Sequence, residues 1–360
     1  MPANSQRDVE QSKKALATWL SGKLDAEVTL GEFGGPGATG FSNETIIVDA
    51  THSGQTEKLV VRVAPTGYTL FPDAAFAEQY AILVTLAAKT SIPVPTVRWY
   101  ETDPSVLGAP FFIMDFVDGL IPPDNPPYTM DGWLKEASPE LQEKVFWGAI
   151  DSIAEIAALD PSELELPPLL NGLDAQLDYY EAFMLGVEKS GEELAVARRA
   201  FDWLTANKPE DDGTVFCWGD SRVGNVMYSP EGDRLAVVDW EMACYGSPSQ
   251  DIAWTWFLDR HHAEGMGAER LPGFPTREAM IERFERLSGR SAKAFDYYEV
   301  FAGFRFCVIM GRLAVTFKAW GLIPAGNDLG QNNPPARLTE PMLDSLRDCR
   351  PLPTSRPPHP

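Results

Sequence analysis

Residues 218–241 constrain this chain more than any other stretch. Trp218-Gly219-Asp220-Ser221-Arg222-Val223-Gly224-Asn225 is followed, across the turn Ser229-Pro230-Glu231-Gly232-Asp233, by Ala236-Val237-Val238-Asp239-Trp240-Glu241. Its polar residues are bracketed by apolar ones, so the chain must bring a loop and the end of an adjoining apolar strand to one place. An Asp and an Asn at 220 and 225, with a further Asp at 239, offer an acceptor for the proton of a hydroxyl and hard oxygen ligands for Mg2+. Phosphoryl transfer needs both. Ordinary turn aspartates are the plainer alternative.

Ahead of this stretch the pattern is that of a small sheet. Residues 6–22 predict a helix, and the runs Glu27–Phe33, Glu44–Ala50 and Lys58–Val63 predict strands. Thr51-His52-Ser53-Gly54-Gln55 predicts the hairpin turn between the last two. Within 73–89, Phe76, Tyr80, Leu83 and Leu86 recur at helical spacing, with Pro72 just before the expected cap. Thr96–Tyr100 and Pro110–Val117 predict two more strands, and the proline-rich 121–127 a loop. From about Ser138 helical periodicity dominates, interrupted only by TVFCWGD, NVMYS and RLAVVDW; it resumes near Ser247 and runs to about Asp348. The fold class expected is α+β, with a small antiparallel-sheet lobe over 1–115, a hinge about 114–119 and a mostly helical lobe over 116–350. The tail 351–360 is expected to be disordered.

The glycines Gly35-x-Gly37-x-x-Gly40 have the spacing of a dinucleotide fingerprint, which requires a helix directly after them. Here Glu44-Thr45-Ile46-Ile47-Val48 follows, crowded with β-branched residues, and no acidic strand end comes at the expected distance. A flap over nucleotide phosphates between two antiparallel strands suits the pattern better; an unremarkable Gly-rich hairpin is the alternative. Arg62 lies inside the apolar run Leu59–Val63 and needs a partner if buried, for which Glu78 on the next helix is the candidate. A surface salt bridge is the other reading.

With 52 acidic and 30 basic residues the formal net charge is −22, which argues against nucleic acid or anionic lipid as the main partner. No stretch is read as approaching the ~20 apolar residues of a membrane helix, and the N-terminus lacks the apolar centre of a signal peptide. Cys217, Cys244, Cys307 and Cys349 lie far apart without paired spacing, as expected for reduced thiols in a cytoplasmic protein. Oligomeric state is not legible.

In these motifs the chain resembles the aminoglycoside phosphotransferase and choline kinase-like family of the protein-kinase-like superfamily. Gly40-Phe41-Ser42-Asn43-Glu44-Thr45 is similar to its phosphate loop, and Phe76-Ala77-Glu78-Gln79-Tyr80 with Pro93-Val94-Pro95 to its helix-Glu segment. Leu107–Gly119 is similar to its strand and hinge. The resemblance implies a bilobal kinase-like fold that binds ATP and Mg2+ and moves the γ-phosphate to a hydroxyl of a small molecule. It implies that Asp220 is the catalytic base and that Asn225 and Asp239 hold the metal. By the same token Gly40, Ser42, Asn43, Arg62 and Glu78 would position the phosphates, with adenine contacts around Asp115, Phe116 and Val117. Asp251, in Ser247-Pro248-Ser249-Gln250-Asp251, would brace the catalytic loop or only favour the first turn of its helix.

Two residues depart from the family pattern. Trp218 stands where His usually precedes Gly-Asp, and Arg62 replaces the Lys of protein kinases. Arg keeps its charge and binds phosphate well. Trp218 motivates the rival reading, a catalytically weak pseudokinase acting as a nucleotide-binding regulatory module; an oxidoreductase using the glycine loop is a third. The aromatic, apolar stretch Tyr297–Trp320 carries Arg305, Arg312 and Lys318 against one acidic residue. It is either a core helix or the lining of a pocket for an apolar, neutral or anionic hydroxyl compound. His261-His262 is expected at a surface helix end, Cys217 and Cys244 in core packing, and Glu241 either near the metal or exposed.

Overall fold

A computed structural model describes residues 8–35, 43–67, 69–73, 75–210 and 213–348, the side chains of 347 and 348 apart. Gly40 and Ser42 of the expected phosphate loop, with Gly37, and the tail 351–360 lie outside the described residues.

The first lobe is built by α1 (Val9–Leu24), β1 (Val28–Leu30), β2 (Glu44–His52), β3 (Gln55–Val63), α2 (Phe76–Lys89), β4 (Val97–Glu101) and β5 (Phe111–Asp115). Its five strands run antiparallel in the order β1-β2-β3-β5-β4. The β2–β3 register is fixed by a two-residue turn in which Ser53 and Gly54 have φ of 50° and 74°, the left-handed pair that matches strand twist. Alternation along β5 then decides the two faces. Phe111 and Ile113 enter a core with Leu16 and Leu20 of α1, whereas Phe112 packs with Phe76 and Leu83 of α2. That second core continues without a break into the other lobe. The α2 helix begins at Phe76 behind a left-handed Ala75, later than the cap expected at Asp73.

The second lobe contains α3 (Trp133–Glu136), α4 (Pro139–Ala158), α5 (Pro161–Leu164), α6 (Gly172–Lys189) and α7 (Ala195–Ala206). Two short hairpin-like pairs follow, from β6 (Val215–Cys217), β7 (Val226–Tyr228), β8 (Arg234–Val237) and β9 (Cys244–Gly246); β6 pairs with β9 and β7 with β8. The chain ends in α8 (Ser249–His262), α9 (Arg277–Ser288), α10 (Phe295–Ala319) and α11 (Pro334–Asp348). Ser138 caps α4, its Oγ accepting from Leu141, with Pro139 at the first helical position.

The α10 helix corrects one expectation. By length and composition it could cross a bilayer, yet 67% of its most apolar window is buried inside the protein. It is a core helix wrapped by α6, α7, α8 and α11. Its basic residues are engaged too: Arg305 is buried, Lys318 pairs with Glu192 at 2.6 Å and Arg312 donates to the Thr69 carbonyl at 3.1 Å.

Candidate active site

Strand β6 leads into the Trp218–Asn225 loop, and Asp251 in the first turn of α8 holds it. The Asp251 carboxylate accepts from the backbone N–H of Trp218 at 2.7 Å and of Gly219 at 3.0 Å. Burial pushes this carboxyl up to about 6, while the two N–H groups favour its ionised form. Just ahead of α8, Ser247 Oγ accepts the Ser249 N–H at 3.0 Å. From the other side Arg305 donates to the Gly219 carbonyl at 3.2 Å, its guanidinium 4.5 Å from the Trp254 ring centre. Asp251 is thus a brace and more than a favourable helix charge.

Gly219 has no substitute at this point. Its φ is +92°, and an added Cβ would lie 1.9 Å from the Met242 carbonyl oxygen. Gly219→Ala is expected to cost about 3 kcal/mol or more of stability, since strain and backbone overlap add. A denaturation midpoint within error of wild type would contradict this.

Trp218 ties the loop to the metal candidate. Its side chain is fully buried, and Nε1 donates to the carbonyls of Val238 and Asp239, both at 3.0 Å. Asp239 has φ of +63°, a left-handed conformation that a non-glycine residue holds only when its surroundings impose it. The indole therefore supplies a donor to the backbone of Asp239. Trp218→Phe, which removes only that N–H, is expected to lower turnover roughly 10- to 100-fold. Trp218→His should recover part of the loss, and equal activity of the Phe and wild-type proteins in a steady-state assay would refute the role.

Three donors converge on Asp220. Trp254 Nε1 reaches Oδ1 at 2.8 Å, while Asn225 Nδ2 at 2.7 Å and Arg222 Nε at 3.2 Å reach Oδ2. The side chain is 15% exposed, so part of it stays open to solvent. A carboxylate oxygen can accept about two bonds, which leaves Oδ1 one further place for a hydroxyl proton.

Asn225 also donates to the Asp220 carbonyl at 2.9 Å. Its amide nitrogen is thereby committed, and its Oδ1 accepts from no described residue. Asp239 Oδ1 is buried without a partner. Burial and the nearby Asp220 charge raise the Asp239 carboxyl, with Arg62 and Arg222 opposing. Two unclaimed oxygens beside concentrated negative charge fit Mg2+, which takes one or two protein oxygens and completes its shell with phosphates and water. Among the described residues no group of three His, Cys, Asp or Glu forms a metal cluster, and a site of this kind needs none.

The first-lobe residues are arranged differently from expectation in one respect. Arg62 lies within electrostatic range of Asp239, across the cleft. It forms no ion pair with Glu78 among the described residues and instead donates to Thr45 Oγ1 at 3.0 Å. Thr45 is directly opposite Arg62 in the β2–β3 ladder, so a short cross-strand reach wins over a reach to α2. The contact from α2 comes one residue later: Gln79 Oε1 accepts from Asn43 Nδ2 at 3.4 Å, both side chains buried. Asn43 Oδ1 is left without a partner.

At the hinge, the Asp115 N–H is taken by the Thr96 carbonyl at 2.9 Å and the Phe116 N–H by the Lys58 carbonyl at 3.4 Å. The Asp115 carboxylate pairs with Arg98. Of these three positions, only the Val117 N–H has no acceptor among the described residues. Among the described residues the glycine segment is followed by β2 and not by a helix, with β2 antiparallel to both neighbours, which removes the dinucleotide fold.

Several participants escaped the sequence. Arg222, Asp124 and Trp254 were not singled out: each is remote in sequence from its partner or sits in a loop, and only the fold brings them together. The expected surface position of His261-His262 is wrong. His262 is buried, and burial pushes His261 down to about 3, because Phe306 and Tyr128 close over this helix end. Cys217 and Cys244 face each other across β6 and β9 as buried free thiols. A cavity of about 370 Å3 lined by Glu143, Trp147, Asp151, Arg234 and Arg283 shares no residue with the constellation around Asp220.

Comparison with known proteins bears on the family and the fold. The sequence model of a phosphotransferase enzyme family matches residues 36–282, more than half of the chain. IBR3 of Arabidopsis thaliana, which bears an acyl-CoA dehydrogenase name, is 26% identical over 287 residues, or 74% of this chain and 34% of its own. Acyl-CoA dehydrogenase family member 10 of Mus musculus is 28% identical over 202 residues, covering 55% of this chain and 18% of its own. The chain thus spans about a third or less of these relatives. In fold it is similar to a Ralstonia eutropha protein provisionally designated an aminoglycoside phosphotransferase (TM-score 0.68, 23% identity, 92% of this chain and 95% of the other). It is likewise similar to the ethanolamine kinase of Plasmodium vivax (TM-score 0.56, 13% identity, 89% and 83%). The bilobal kinase-like fold is the one expected.

Proposed function

Because the chain belongs to the phosphotransferase enzyme family, we propose that it moves the γ-phosphate of ATP, with Mg2+, to a hydroxyl of a small molecule. The observation that carries this reading is Asp220, oriented by three donors with one acceptor position left open. In that reading Asp220 accepts the proton of the attacking hydroxyl through Oδ1. Asn225 Oδ1 and Asp239 Oδ1 would hold Mg2+, which supplies neutralisation of phosphate charge when bound. Arg62, reaching across from β3, would neutralise further phosphate charge, and the Val117 N–H would meet the adenine edge. Residues 1–115 would carry the nucleotide and 116–350 the acceptor, with the hinge about 114–119. Among the described residues three buried cysteines form no disulfide, which suits a reducing cytoplasm.

The regulatory alternative loses its motive, because the Trp218 indole supplies a donor at the position where the family has His. The acyl-CoA dehydrogenase names of the relatives bring acyl-type hydroxyl compounds into the test beside polycations. The test is ADP release, with 31P detection of product, over a panel of aminoglycosides, macrolides, amino alcohols and hydroxyacyl thioesters. Acceptor-dependent ADP formation is expected with at least one class. Bound Mg·ATP with no transfer to any of them would favour the regulatory module.

A further inference from the structure

Among the described residues Arg222 is the one cation in direct contact with Asp220. Its Nε donates to Asp220 Oδ2 at 3.2 Å, and its Nη1 donates to both oxygens of Asp124 at 2.6 Å. Asp124 belongs to neither the catalytic loop nor the metal strand. It sits in the proline-rich segment after the hinge, which is pinned at both ends. Leu120 and Tyr228 exchange two backbone bonds of 2.7 and 2.9 Å. Tyr128 donates to Asp259 at 3.2 Å, and Thr129 donates to the His262 carbonyl. His262 Nε2 lies 3.3 Å from Asp124 Oδ1. A chain of contacts therefore runs from the end of α8, through the segment, to the proposed base.

The pair lies toward solvent. Asp124 is 45% and Arg222 18% exposed, so neither is explained by core packing alone. The loop is also shaped around it: a Cβ on Gly224 would fall 2.6 Å from Arg222 Nη1 and 3.1 Å from Asp124 Oδ1. Without Arg222, Asp220 keeps one bond to each oxygen from Asn225 and Trp254, and the carboxylate plane is less constrained. Arg222 bridges the two carboxylates, so the direction of its guanidinium sets the plane in which Asp220 is held.

We propose that Arg222, itself set by Asp124, is a positioning residue that fixes the carboxylate of Asp220 for proton acceptance. The proposal rests on Asp220 being the base. It makes the segment 120–131 part of the catalytic apparatus, since a shift of Asp124 turns Arg222 and, through Nε, Asp220.

The experiment compares wild type, Arg222→Lys, Arg222→Ala, Asp124→Asn and the double variant Asp124→Asn/Arg222→Ala. Turnover is expected to fall about 100-fold in Arg222→Ala and roughly tenfold in Asp124→Asn, with KM for ATP unchanged. The double variant should be no slower than Arg222→Ala alone, because Asp124 acts only through Arg222. Added ethylguanidinium should restore part of the activity of Arg222→Ala. Additive losses, or a folded Arg222→Ala that guanidinium fails to rescue, would overturn the proposal. If Arg222→Ala does not fold, Arg222→Lys and Asp124→Asn decide by whether turnover falls without a change in KM. A crystal structure of Asp124→Asn gives a readout independent of activity, with an Asp220 carboxylate turned from its wild-type plane expected. An unchanged Asp220 there refutes the positioning role, whereas an inactive wild type refutes the functional reading instead.

Discussion

Asp220→Asn is expected to lower turnover by roughly 10²- to 10⁴-fold, the range lost when a positioned general base is removed. The amide cannot take the hydroxyl proton. It also mismatches its surroundings. With its oxygen toward Asn225 and Arg222, its NH2 faces the Trp254 N–H, and the reverse orientation faces two donors. One lost bond costs about 1 kcal/mol, so the variant should fold and melt only a little below wild type. KM for ATP should hold, because the substitution removes no proposed nucleotide contact. Initial rates of ADP release at saturating ATP check this; turnover at the wild-type rate would rule out Asp220 as the base.

Asp239→Asn is the second large effect, and it separates stability from function. The apo protein carries a cost at this position, because the Asp239 carboxylate is buried, has an unpartnered oxygen and lies near Asp220. Asn removes the charge and tolerates the left-handed backbone that Asp239 adopts. The variant without ligand should therefore be at least as stable as wild type. Mg·ATP at about 100 times its Kd should stabilise wild type by about 2.7 kcal/mol. In Asp239→Asn the increment of Mg·ATP over ATP alone should vanish, and turnover should fall about 100-fold or more as metal stabilisation of charge is lost. A variant that keeps the full Mg2+-dependent shift in melting temperature would remove Asp239 from the metal site.

The Asp220, Asn225 and Asp239 triplet was legible because its spacing is local: one loop and one hairpin carry all three residues. The two lobes were legible for a similar reason. Period-two runs end at Asp115, and α4, the first long helix of the second lobe, is announced by Ser138 and Pro139. Arg62 was found as a cation in an apolar strand, but its partner was not. A charged side chain in a strand has neighbours across the ladder, on the next helix and across the cleft, and sequence cannot rank them. Thr45 won by register. The buried position of His262 was missed because two adjacent polar residues at a helix end look the same whether a loop covers them or not.

What the sequence alone determined is the donor set around Trp218–Asp239 and the order of elements that carry it, since these follow from residue type and short spacing. The tertiary structure decided what each donor does. It turned Trp218 from the residue that weakened the catalytic reading into a donor to the backbone of Asp239, and Asp251 into the brace of the loop. It also brought Asp124 to Arg222 from about a hundred residues away. A hydrogen bond depends on a distance of about 3 Å and a direction, and neither is encoded by separation along the chain.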